Sequence, residues 1–90
     1  MSEGKLDELR SEIDTLDEQI LVLFDERQRV SKQIGFIKNE NGWPIVDEKR
    51  KALALSTRLE FAQGIGLSEK DVKDIFELFH KKAVEIQRED

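Results

Sequence analysis

Apolar residues recur through the first half of the chain in alternating steps of three and four positions. The residues in this series are Leu6, Leu9, Ile13, Leu16, Ile20, Leu23, Val30, Ile34 and Ile37. Such spacing is typical of a heptad seam on one face of an α-helix. Glu, Arg, Lys, Gln and Leu dominate the remaining positions and favour the same conformation. The pattern predicts one long helix from about Lys5 to about Asn39.

The segment Asn41-Gly42-Trp43-Pro44 interrupts this pattern, because Gly and Pro end helices and the residue before Pro favours an extended backbone. Asp47 can cap a second helix, which we expect to end at Gly64 or Gly66. The apolar face of this second helix comprises Ala52, Leu55, Leu59 and Ala62.

Ser68-Glu69-Lys70-Asp71 resembles a capping box with a short acid at its third helical position, and it predicts the start of a third helix. The apolar stripe of that helix comprises Val72, Ile75, Phe76, Phe79, Ala83 and Ile86. The sequence therefore predicts an all-α fold with three helices per chain, one long and two shorter, in a single domain over residues 1–90.

The predicted first helix is too long for the rest of the chain to cover. At ~1.5 Å per residue it measures roughly 50 Å, against a radius of gyration of ~12 Å for a compact chain of this length. A second chain must therefore cover the seam, and we expect an intertwined helical homodimer.

The amino-acid composition excludes several kinds of active site and partner. The chain has no Cys and a single His, His80, so thiolate nucleophiles and histidine metal clusters are excluded and no metal site is expected. Its net charge is −5, with 15 Lys and Arg against 20 Asp and Glu, which argues against a nucleic-acid partner. No apolar run is long enough for a membrane span. We expect a cytoplasmic protein with no membrane partner.

One charged residue occupies a core slot of the seam: Arg27 falls between Leu23 and Val30. An unpaired buried guanidinium is costly, so the position requires an anion, either an acid of the partner subunit or a ligand. Lys38 lies eleven residues further on, rotated by about 20° and displaced by roughly 16 Å. The two cations are spaced to hold opposite ends of a small anion.

The other polar candidates have ordinary interpretations when taken alone. Arg10 lies about 25 Å before Arg27 along the helix. It is most simply a solvated side chain, although in an antiparallel helix pair it can reach the middle of the partner. Arg50 is placed for a local ion pair with Asp47. Gln87 is most simply a surface amide.

Taken together, these positions resemble a known family. The series Arg10, Arg27, Lys38, Pro44-Ile45-Val46-Asp47-x-x-Arg50 and Gln87 is similar in order and separation to the all-helical (AroQ-type) chorismate mutase family, over nearly the whole chain. The resemblance implies a dimer with two shared sites. It further implies the conversion of chorismate, a dicarboxylate, to prephenate by an intramolecular Claisen rearrangement that uses no cofactor.

The resemblance also implies roles for individual side chains. Lys38 and Gln87 would donate hydrogen bonds to the ether oxygen of the breaking bond, and Arg27 would hold a substrate carboxylate; these three are the expected catalytic residues. The same carboxylate or its neighbour would meet Arg10 of the partner subunit. Arg50, with the backbone around Asp47, would hold the ring side of the substrate.

Two positions depart from the family pattern. Lys51 stands where the family has a Glu that accepts a hydrogen bond from the ring hydroxyl, and Ala83 stands where a small hydroxyl residue is common. Lys51 either pairs with Glu48 and points away, donates to the hydroxyl, or marks another substrate.

Two other functions therefore remain open beside chorismate mutase. One is an isochorismate pyruvate lyase or a 4-amino-4-deoxychorismate mutase with the same pocket. The other is a non-catalytic helical dimerisation or regulatory module, although a simple coiled coil does not require Arg27 in its seam.

Overall fold

A computed structural model describes residues 2–89, and every regular element among them is a helix. The helices are α1 (Ser2–Asn41), α2 (Glu48–Gly64) and α3 (Glu69–Gln87). The predicted all-α fold with one long and two shorter helices is confirmed. Helix α1 extends beyond the predicted range at both ends.

The chain divides into two compact units, one up to Val30 and one from Ser31 onwards. In the first unit the apolar seam of α1 is exposed. Its members between Leu6 and Leu23 retain 45–61% of their accessible surface. Ordinary surfaces do not carry such a continuous apolar stripe, so this face has the character of an interface.

The end of α1 is set by a glycine. Gly42 has a φ of 68°, which places it in the left-handed region. The Trp43 N–H donates to the Lys38 carbonyl at 2.9 Å, and the Gly42 N–H donates to that of Asn39 at 3.4 Å. This is a Schellman motif, in which the last carbonyls of a helix are satisfied as the chain turns back.

Capping residues define the ends of α2 and the start of α3. The Arg50 N–H donates to Asp47 Oδ1 at 3.0 Å, as predicted for an N-cap. Helix α2 ends at Gly64, one of the two predicted positions, in a second Schellman turn with Gly66 at a φ of 80°. The N-cap of α3 is Ser68, whose Oγ accepts from the Asp71 N–H at 3.0 Å.

The core of the second unit lies between α2 and α3. Ala62 and Val72 are its most buried apolar residues, at 4% and 3% exposure. Phe76 and Phe79 pack edge to face with ring centroids 5.3 Å apart, a preferred aromatic geometry. Ile75 was predicted to belong to the apolar stripe but is 48% exposed. It precedes Phe76 by one position and so is turned by about 100° from that ring.

Candidate active site

Lys38 is the centre of the candidate site in the second unit. Its half-buried ammonium group donates to the Ile45 carbonyl at 2.6 Å and to Gln87 Oε1 at 3.0 Å. The Schellman turn at Gly42 brings the chain back after α1, and Ile45 belongs to this returning segment. Three elements thus meet at one nitrogen atom: the end of α1, the loop that follows it, and the last turn of α3.

Gln87 is the buried partner of Lys38, with 7% exposure, so its interpretation as a surface amide is wrong. A lysine ammonium has only donors, so the atom of Gln87 facing it must be the carbonyl oxygen. The amide nitrogen is then directed away from Lys38. No buried side-chain nitrogen or oxygen within residues 2–89 lacks a hydrogen-bond partner. Since Nε2 has no partner in that range, it must be accessible from outside the protein.

The positive charge of Lys38 is not neutralised locally. Both of its acceptors are neutral oxygens, and no carboxylate of the described chain lies within 4.0 Å. Five ion pairs within residues 2–89 are exposed contacts within single helices: Lys5–Glu8, Arg29–Asp25, Lys70–Asp74, Lys73–Glu69 and Lys82–Glu85. Lys38 therefore retains a third N–H and its full charge for an electronegative group.

The first turn of α2 carries Arg50 and Lys51, both exposed. The carboxylate of Asp47 caps this turn through the Arg50 backbone N–H, and the Asp47 carbonyl accepts from the Lys51 N–H at 2.9 Å. Neither side chain has an ion pair within residues 2–89, so the local pair of Arg50 with Asp47 is not formed. The suggested pair of Lys51 with Glu48 is absent as well. Both cations are available to an anionic ligand.

The remaining sequence-predicted residues are distributed over both units. Arg10 and Arg27 lie in the first unit, where Arg10 is exposed and Arg27 is half-buried. Ala83 lies in the second unit, half-buried on α3, one turn before Gln87. It therefore shares the helix face that presents Gln87.

Sequence reasoning missed two small buried residues of α1 that precede Lys38. Ser31 is buried at 6% exposure, and Gly35 is buried one turn later on the same face of α1. Gly35 lies in close contact with Gln87 of α3. The signal was in the sequence: two small residues four positions apart, leading to Lys38, allow a second backbone to approach.

No group of three or more His, Asp or Glu side chains in residues 2–89 is arranged to hold a metal ion. Over the same range, no helix has both the length and the apolar character needed to cross a membrane.

Comparison with known proteins identifies relatives over most of the chain. The family model described as chorismate mutase type II matches residues 9–88. A chorismate mutase from Methanocaldococcus jannaschii is 33% identical over 85 residues, which cover 92% of this chain and 86% of that protein. A T-protein from Haemophilus influenzae is 33% identical over 78 residues, or 87% of this chain.

Some relatives are much longer than this chain. The match covers 21% of the Haemophilus influenzae T-protein. In a bifunctional chorismate mutase/prephenate dehydratase from Aquifex aeolicus it covers 14%, at 46% identity over 50 residues. The chain thus spans about a fifth or less of these two relatives, but 86% of the Methanocaldococcus jannaschii chorismate mutase.

Proposed function

Because this chain belongs to the chorismate mutase type II family, we propose that it converts chorismate to prephenate by an intramolecular Claisen rearrangement. The observation that carries this proposal is the contact of Lys38 Nζ with Gln87 Oε1 at 3.0 Å. This contact holds the ammonium group of Lys38 next to the side-chain amide of Gln87, and two neighbouring donor groups suit an ether oxygen.

The reaction needs no nucleophile and no group that titrates near neutral pH. One carbon–oxygen bond breaks and one carbon–carbon bond forms within the same molecule, and negative charge grows on the ether oxygen in the transition state. Donors that are already in place stabilise that charge more than they stabilise the ground state. The third N–H of Lys38 and the outward amide of Gln87 are such donors.

The carboxylates of the substrate need cations at a distance from the reacting oxygen. The family resemblance assigns Arg27 to one of them. Arg50 supplies a cation from the first turn of α2, with the backbone around Asp47 beside it. Holding both carboxylates folds the substrate and brings its reacting carbons together, which removes orientational freedom before the chemical step.

The family resemblance assigns Arg10 of a second chain to the site, and we therefore propose a homodimer with two shared sites. The exposed seam of α1 supports this assembly, since residues from Leu6 to Leu23 form a continuous apolar face. Two such faces packed together bury each other in a symmetric, self-complementary interface. We propose that this dimer is cytoplasmic; since the sequence has no Cys, its stability does not depend on disulfides that form in an oxidising compartment.

Lys51 favours a second candidate function, either that of an isochorismate pyruvate lyase or that of a 4-amino-4-deoxychorismate mutase. Its side chain is exposed and has no ion pair within residues 2–89, so it is available to a substrate. It replaces an acceptor with a donor, which changes the ring substituent that the site prefers.

Incubation of the purified chain with chorismate and then with isochorismate separates the candidate functions. We expect prephenate from chorismate and no pyruvate from either substrate. Pyruvate release from isochorismate would favour the lyase. If neither substrate reacts, the result would support a non-catalytic dimerisation module.

The replacement Lys51→Glu tests the departure from the family pattern. It restores an acceptor for the ring hydroxyl, and one such hydrogen bond to a charged group corresponds to about a tenfold gain in kcat/KM for chorismate. Lys49→Glu is the matched control, because it makes the same charge change in the same exposed turn. An equal change in both variants, or a loss with Lys51→Glu, would contradict this role.

A further inference from the structure

The closest approach of another element to a glycine in the described chain occurs at Gly35. A Cβ atom placed on Gly35 would lie 2.7 Å from Gln87 Cα and 3.0 Å from both Cβ and Cγ of Gln87. The nearest of these atoms is backbone, so no side-chain rotation relieves the overlap. A Cβ on Gly4 or Gly64 would meet nothing within 4 Å.

This close contact adjoins the candidate site directly. Lys38 follows Gly35 by three positions, so the two residues share a face of α1. That face meets the last turn of α3, where Gln87 is buried and accepts from Lys38 Nζ. The absence of a side chain at Gly35 thus determines how near the Gln87 backbone lies to the helix that carries Lys38.

We propose that Gly35 is a positioning residue for the reaction: it sets the distance between α1 and the end of α3, and thereby holds the amide of Gln87 on Lys38 and aims its N–H groups at the substrate. This inference rests on the proposed function and extends it to a residue that touches no substrate.

The geometry gives the size of the effect. Ordinary contacts of a Cβ atom lie at 3.4–4 Å, so a methyl group at Gly35 pushes the Gln87 backbone away by roughly 1 Å. The Lys38–Gln87 contact, now 3.0 Å, then passes the 3.5 Å limit of a hydrogen bond. Lys38 does not follow α3, because the Ile45 carbonyl holds its Nζ at 2.6 Å. The amide of Gln87 then loses its hydrogen bond with Lys38, and its N–H groups no longer point toward the substrate.

The test is Gly35→Ala with Gly4→Ala as control, since both add a methyl group to α1 and only the first meets another element. A misplacement of this size costs up to ~10²-fold in rate. We expect kcat to fall by about 10- to 100-fold in Gly35→Ala with KM changed less than about threefold, because the carboxylate contacts are unaffected. Gly4→Ala should match the parent. A kcat within twofold of the parent in Gly35→Ala would overturn the proposal.

A double-mutant cycle distinguishes positioning from a general structural role. In a Gln87→Ala background the amide is already absent, so adding Gly35→Ala should lower kcat by less than about twofold. A further loss as large as in the parent background would assign Gly35 to folding alone. Assays at low temperature in sucrose keep a weakened variant folded. If Gly35→Ala remains unfolded even there, the positioning role is overturned.

A readout independent of turnover separates this proposal from the proposed function. The side-chain amide resonances of Gln87, followed by NMR in labelled protein without substrate, should shift in Gly35→Ala and stay in place in Gly4→Ala. An inactive parent with that shift would overturn the function and leave the positioning intact. An active parent whose Gln87 resonances are unchanged in Gly35→Ala would overturn the positioning alone.

Discussion

Replacing Gln87 by Glu puts a titrating group in the place of a neutral donor. Gln87 is buried and its Oε1 lies 3.0 Å from Lys38 Nζ. An ionised carboxyl there has acceptors only and pairs with the ammonium, so nothing on that side chain donates to the ether oxygen. The protonated acid restores a donor. Gln87→Glu is therefore expected to make the reaction strongly pH-dependent, whereas the parent keeps a flat rate between pH 6 and 8.

The magnitude follows from two opposing effects on the pKa of the introduced carboxyl. The adjacent Lys38 cation lowers that pKa and burial raises it. An ordinary Glu carboxyl titrates near ~4.3, so only about one molecule in 10³ is protonated at pH 7.5. Loss of one such donor costs about 10²–10³ in kcat. We expect that loss at pH 7.5, with recovery of up to about tenfold per pH unit as the pH falls toward 5.

The assay is kcat/KM for prephenate formation between pH 4.5 and 8, with thermal melting to verify that each variant is folded. Gln87→Ala is the control, because it removes the donor without adding a titrating group; its rate should be low and flat. The reasoning is refuted if Gln87→Glu is as active as the parent at pH 7.5, or if its profile is as flat as that of Gln87→Ala.

Two further predictions concern the helix cap and the shared site. Asp47→Ala removes the acceptor for the Arg50 N–H and should lower the free energy of unfolding by about 0.5–2 kcal/mol in urea titrations, whereas Asp47→Asn should retain most of it. If the cap does not stabilise the protein, both variants will have the same urea midpoint of unfolding as the parent. Arg10→Ala and Arg27→Ala homodimers should each be inactive, but mixing and subunit exchange should restore one intact site per heterodimer. Confirmed exchange with no recovered activity would contradict sharing between subunits.

Local sequence signals were sufficient to predict the three helices. The break at Gly42 and the cap at Asp47 were predicted because each acts within one turn of the backbone. Helix α1 ends at Asn41 and not near Asn39, since a Schellman motif keeps the residues before its glycine helical. Its exact start lacks a comparable local signal.

The candidate site was less predictable, because its contacts join residues distant in sequence. Helix geometry relates Lys38 to Arg27 on one helix but says nothing of the last turn of α3. The sequence therefore predicted a surface amide at Gln87, whereas the side chain is buried. Gly35 was missed for the same reason, because only the approach of Gln87 explains why a side chain is excluded there. Family resemblance supplied the roles of the site residues, and those roles stay predictions.

The central claim is that this chain rearranges chorismate with the donors of Lys38 and Gln87 and without a cofactor. The most direct test is the rate at which purified protein, after treatment with a metal chelator, forms prephenate from chorismate, compared with the spontaneous rearrangement in the same buffer and with the product identified by NMR. We predict a rate proportional to protein concentration, prephenate as the single product, and an acceleration of about 10⁶-fold or more. Chorismate that disappears only at the spontaneous rate, or that releases pyruvate, would contradict the claim.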